Sequence, residues 1–194
     1  ILSVLAVDVW NFDVRNNRMD SLYMDDKFSI DLPKGAKIVP EKLLEDALIF
    51  DQRALKNPYY KANEWGWQID AEGLRYSLID FYHRYHKPLF IVENGIGIDE
   101  TLKDGKVYDD ERISYYQKHI QAIKTAVEHD GVDLMGYLAW SPIDFLSSHK
   151  EIRKRYGFVY VDRDFEDLKE LKRYPKKSFY WYKKVIETNG EDLY

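Results

Sequence analysis

The sequence contains no cysteine. That absence excludes a disulfide framework, a thiolate zinc site and a cysteine nucleophile. It also lacks any uninterrupted apolar run of roughly 18 residues, so no transmembrane helix is expected. The opening ILSVLAV is short, has no basic residues before it and no small-residue cleavage site, and so argues against a secretory leader. Positive charge is not in excess: 29 Lys and Arg face 34 Asp and Glu, for a net charge of −5 and a pI near 5.6. Broad nucleic-acid binding is therefore not expected, and any anion site must be local. The histidines are few, and His83 and His86 stand three apart with no carboxylate companion motif, so no metal is expected. The Gly-x-Gly of GIGIDE lacks the third glycine and the strand-to-helix context of a dinucleotide site.

Core-forming material is present. Of the 194 residues, 45% are hydrophobic and 15% aromatic, enough for one ordinary domain or a piece of something larger. Residues 1–56 form an unassigned segment. ILSVLAVDVWNF reads as a strand followed by a loop, IDLPKGAKIVP as irregular chain, and residues 41–56 as helix-like, with Leu43, Leu44, Ala47 and Leu48 at helical spacing. Residues 57–194 are more regular. NPYYKANEWGWQID reads as a packed aromatic loop. Asp70 is an N-cap for AEGLRYSLIDFYHRYH, whose stripe is Leu74, Leu78, Phe81, Tyr82 and Tyr85. Lys87-Pro88 stops that helix, and LFIVE follows as a strand. Asp109 or Asp110 caps a second helix with Ile113, Tyr116, Ile120, Ile123 and Val127 on one face, and residues 132–141 give another strand. RYGFVYVDRD reads as a hairpin, with Tyr156, Phe158 and Tyr160 alternating against Gly157, Val159 and Val161. Ser178 caps a final helix that Asn189-Gly190 closes.

Strands alternating with helices indicate an α/β fold with parallel pairing. In a (β/α)₈ barrel, chemistry sits at the carboxyl ends of strands, and Glu93 and Trp140 both occupy such ends. Glu93 follows an apolar run and precedes the turn Asn94-Gly95. It fits two roles: a solvated residue opening a turn, or a nucleophile held by a rigid strand end. A glycosidase nucleophile must be ionised and fixed while a second carboxyl group protonates the leaving oxygen. Periodicity leaves both roles open.

The motif FIVENGIG resembles the nucleophile motif of family 1 glycoside hydrolases. NEWGWQIDAEGLRYSL, DDERISYYQKHIQAIKTAVEHDGVDLMGYLAWSPID and YPKKSFYWYKKVIETNG resemble that family's flanking segments, in order, from Asn57 to Gly190. The resemblance implies a retaining β-glycosidase on a (β/α)₈ TIM barrel, with Glu93 as nucleophile, Trp140 shaping the sugar site and no metal or organic cofactor. After Asp144, ordinary β-glucosidases of the family carry a Glu and a Trp; here Phe145, Leu146, Ser147 and Ser148 follow. Ser147, Lys154 and Tyr156 instead stand at the spacing of the phosphate site of the 6-phospho-β-glycosidase branch. A phosphomonoester calls for a cation and hydroxyl donors. In that branch a small residue at the position of Ser148 goes with gluco rather than galacto substrates. The resemblance thus implies a phosphorylated β-glucoside as substrate and a cytoplasmic enzyme.

The family's acid/base motif, Asn-Glu-Pro, does not occur; Asn63-Glu64 is followed by Trp65. A (β/α)₈ barrel takes about 250 residues. The expectation is therefore the C-terminal part of a longer barrel enzyme, about strands seven and eight with their helices, and incomplete as given. An ordinary β-glucosidase of the family and a non-catalytic sugar-phosphate binding module are the alternatives.

Overall fold

The computed structural model describes residues 2–5, 60, 62–147, 151–164 and 167–194. The helix expected over 41–56 lies outside the described residues, as does Ser148. By packing, Leu2–Leu5 joins residues 69–194 in one compact unit, and residues 60 and 62–68 belong to a second.

In the second unit, the loop around NEWGW is built by Asn63. Its side-chain oxygen accepts hydrogen bonds from the Trp65 and Trp67 amides at 3.1 and 2.9 Å, while Gly66 takes φ +81° at the turn. A single bridge, Ala62 to Gln68, closes it.

The first unit is organised on a parallel sheet of β1 (Leu2–Leu5), β2 (Leu89–Asn94) and β4 (Leu134–Ala139), in that spatial order. Helix α1 (Ala71–Tyr85) starts where expected: the Asp70 carboxylate accepts the Gly73 amide at 2.8 Å. It ends at His86 in the left-handed region, ahead of Pro88. Helix α2 (Asp110–Glu128) crosses from β2 to β4. The carboxyl half of α2 packs Ile123 and Ala126 with Leu74 and Leu78 of α1 against Leu89 and Ile91 of β2. Arg75 clamps the start of the following turn by a two-pronged pair with Asp130, at 2.7 and 2.9 Å. The amino half of α2 turns Tyr115, Tyr116 and Ile120 toward a second cluster with Ile96, Phe158 and Val185. Tyr85 and Val127, assigned to the apolar stripes, are 46% and 41% exposed at the ends of their helices. β4 is the outer strand among the described residues, with Met135 and Leu138 more than half exposed.

The expected hairpin within 155–164 is not formed. β5 (Lys154–Arg155) pairs antiparallel with β3 (Ile98–Asp99), and β6 (Val159–Val161) pairs with β7 (Arg173–Pro175). The chain breaks at Gly157, where a Cβ would lie 2.2 Å from the Asp144 amide nitrogen, so the backbone is held against the segment after β4 rather than against its own neighbour. Helix α3 (Lys177–Glu187) also departs from expectation. Ser178 is inside its first turn, and the cap comes from Asp109, whose carboxylate accepts the Ser178 amide at 2.9 Å and its hydroxyl at 2.5 Å. Gly190, at φ +77°, closes α3 as expected. Among the described residues, no helix is long and apolar enough to cross a membrane.

Candidate active site

β2 and β4 end together: Asn94 pairs with Ala139, and the Trp140 amide donates to the Asn94 carbonyl at 2.7 Å. Glu93 and Trp140 are therefore on one edge of the parallel sheet, at the carboxyl ends of adjacent strands. Several contacts lock this edge. Tyr137 donates its hydroxyl to the Asn94 side chain at 2.8 Å, and Tyr116 donates to the Trp140 carbonyl at 2.9 Å. Gly95 is required by contact, since a Cβ there would sit 1.8 Å from the Trp140 carbonyl oxygen. The Trp140–Ser141 peptide is cis.

Glu93 is half-buried, and among the described residues nothing hydrogen-bonds its carboxylate. Burial raises its carboxyl above the ordinary range. The sign for stability follows by linkage. A group whose folded pKa is raised contributes stability that is present below its unfolded pKa and is lost as pH rises through the folded one. The ionised carboxylate therefore destabilises the fold at neutral pH. Glu93→Gln is expected to remove this loss, giving a protein that gains on the wild type as pH rises through the carboxylate range. Urea unfolding across that range checks it, and pH–stability curves that run parallel would contradict it.

Lys154 of β5 and Tyr156, just after it, reach the same edge. Both are buried, and both side chains lie over Gly97: a Cβ there would be 2.6 Å from Lys154 Cγ and 3.1 Å from Tyr156 Cζ. A line of rings connects Tyr156 to Trp140 through Phe145, with centroids 6.4 and 5.2 Å apart. Ser147 is buried and fixed in a turn, its hydroxyl accepting the Glu151 amide at 3.0 Å. Of the expected residues, Glu93, Trp140, Lys154 and Tyr156 thus converge on the loops after β2 and β4. Ser147 stands at the turn between β4 and β5.

Beneath this edge is a buried ionic hub that the sequence reading missed. Arg112, with no exposure, pairs with Asp109 at 3.0 Å and Glu100 at 2.6 Å. Lys176, equally buried, pairs with Glu100 and with Asp144, the latter at 2.8 Å. Arg155 pairs with Asp144 at 3.1 Å and stacks over the Tyr160 ring. Three cations meet three carboxylates, so the charge balances. Burial lifts the Glu100 carboxyl and lowers the Lys176 ammonium, with the paired charges opposing both shifts. A usable signal existed in the sequence. Arg112 falls in phase with Tyr116 and Ile120, a charge on an apolar stripe, and such a charge needs buried partners.

The sequence matches the model of glycosyl hydrolase family 1 over residues 20–191. Among curated relatives it is 57% identical over 141 residues to the aryl-phospho-β-D-glucosidase BglA of Bacillus subtilis (strain 168), covering 72% of this chain and 29% of that protein. It is 53% identical over 143 residues to the 6-phospho-β-glucosidase AscB of Escherichia coli (strain K12), covering 73% and 30%. A family 1 β-glucosidase from Thermotoga maritima in complex with isofagomine lactam superimposes with TM-score 0.64 at 33% identity, over 71% of this chain and 30% of that one. The chain belongs to glycosyl hydrolase family 1, and its fold is part of a (β/α)₈ barrel. Within the family it falls on the 6-phospho-β-glucosidase branch. It spans under a third of the length of these relatives.

Proposed function

We propose that residues 57–194 are the C-terminal part of a retaining 6-phospho-β-glucosidase, with β2 and β4 as barrel strands seven and eight. Within residues 1–56, Leu2–Leu5 extends the same sheet beside β2, and the segment is given no catalytic residue. The observation that carries this reading is the packing of Lys154 and Tyr156 over Gly97, which brings a cation and a phenol to the loop that leaves Glu93.

Glu93 attacks the anomeric carbon of a 6-phospho-β-glucoside and holds the glycosyl group as an ester, which water then hydrolyses from the opposite face. The proton for the leaving oxygen comes from a carboxyl group outside these 194 residues, since no Asn-Glu-Pro occurs in them. The segment alone is therefore expected to hydrolyse poorly, lacking a general-acid contribution of about 10²–10⁴-fold. Trp140 offers the indole face to sugar C–H groups. Lys154 with Ser147, Ser148 and Tyr156 binds the phosphate, and small Ser148 accommodates the gluco configuration. Two carboxyl groups suffice for this chemistry, with no metal or organic cofactor. On this reading the substrate is a sugar phosphorylated during uptake, and the enzyme acts on it in the cytoplasm.

The full-length enzyme should hydrolyse a chromogenic 6-phospho-β-glucoside far faster than its unphosphorylated analogue; equal rates would remove the phosphate assignment. Lys154→Ala should raise KM for the phosphorylated substrate about 10–100-fold, the loss of one charge-assisted contact. Its KM for the unphosphorylated analogue should stay close to that of the wild type. A matched rise for both substrates would place Lys154 outside the phosphate site.

A further inference from the structure

We propose that Arg112 is a positioning residue that fixes the spacing between the nucleophile loop and the phosphate-binding strand, and so sets selectivity for phosphorylated substrate. This rests on the reading of Lys154 and Tyr156 as phosphate ligands. A guanidinium has five N–H donors in a rigid plane, and here every one has an acceptor. Nε donates to Asp109 at 3.0 Å, and Nη1 donates to the carbonyls of Ile96 at 2.7 Å and Tyr156 at 2.9 Å. Nη2 donates to Glu100 at 2.6 Å and to the Arg155 carbonyl at 2.9 Å.

The choice of carbonyls carries the inference. Ile96 lies in the loop that leaves Glu93, while Arg155 belongs to the strand that presents Lys154 and Tyr156 directly follows it. One planar group, fully buried, spans both ends of the site. The Tyr156 carbonyl also accepts the Ser141 amide at 3.1 Å, which ties in the residue after Trp140. Glu100 is held in turn by Lys176, and Lys176 by Asp144, so the guanidinium plane is braced from behind.

A pyranose 6-phosphate has a nearly fixed distance between its anomeric carbon and its phosphate. Phosphate binding can promote attack by Glu93 only if the protein holds the matching distance, and a misplacement of an ångström costs about 10²-fold. Lysine in place of Arg112 would keep the charge but lose the fork that holds three carbonyls at once. An unphosphorylated glucoside uses only one end of the site, so it should not register the change.

The test compares kcat/KM for a 6-phospho-β-glucoside and its unphosphorylated analogue in the full-length enzyme. Arg112→Lys is expected to lower the ratio of the two about 10–100-fold, with the phosphorylated substrate losing most. Leu78→Ala, in the apolar cluster of α1, is the control for lost stability and should scale both substrates alike. If Arg112→Lys does not fold, Glu100→Gln loosens the same plane and should lower the same ratio. A ratio within about twofold of wild type in the folded variant, or a matching drop in Leu78→Ala, would overturn the proposal. A wild-type ratio near one would instead overturn the phosphate reading itself, before any variant is compared.

Discussion

With Glu93 replaced by alanine, hydrolysis of a 6-phospho-β-glucoside by the full-length enzyme is expected to fall about 10⁵–10⁶-fold, the scale of losing a covalent nucleophile. The loss should be chemical rather than structural. The backbone at Glu93 is held on one side by the pairing of Leu5 with Glu93 and on the other by Asn94 with Ala139. The carboxylate itself has no hydrogen bond among the described residues to lose. Azide supplied to the variant should enter the vacated space and attack from the same face, giving the α-glycosyl azide. A β-azide would mean that Glu93 is the acid/base instead. Residual turnover within about a hundredfold of wild type would remove it from the reaction altogether.

Asp144→Ala is expected to cost about 3–5 kcal/mol of unfolding free energy, the scale of breaking a buried pair from one side. The Asp144 carboxylate accepts from Lys176 at 2.8 Å, from the Gly157 amide at 2.8 Å and from Arg155 at 3.1 Å. Its removal leaves a fully buried ammonium with only Glu100 and takes the acceptor from a buried amide. Gly157 cannot relax toward another partner easily, because its backbone is already in contact with the Ile143–Asp144 peptide. Chemical unfolding of wild type and variant measures the difference. A cost below about 1 kcal/mol would mean that the hub does not hold the segment between β4 and β6.

How much of this was legible in the sequence depended on how local the determining contact was. The start of α1 was readable because Asp70 and Gly73 are three residues apart and the cap is made within that span. β2 was readable because its apolar run stands alone between Pro88 and Asn94-Gly95. The amino end of α3 was misread because Ser178, a good cap by type, is itself bonded by Asp109 from far away in the chain. The hairpin at 155–164 was misread for a related reason: each half pairs with a distant strand, and alternation records burial but not the identity of the neighbour. For the site, Glu93 and Trp140 could be placed at strand ends by pattern, yet only the family motif assigned them chemistry. The need for glycine at position 95 was invisible because it is imposed by the Trp140 carbonyl, just past the end of β4 and distant in the chain.

The hub beneath the site has a thermal consequence. Taking Arg112, Arg155 and Lys176 out of water with their three carboxylates is costly because charged groups are strongly hydrated. That hydration carries a large negative entropy, so the cost shrinks as temperature rises, whereas hydrophobic stabilisation levels off. The ion pairs around Arg112 therefore gain on warming relative to the two apolar clusters of the unit. Heat should loosen the packing of α1 against β2 before it loosens the frame that holds Ile96, Arg155 and Tyr156.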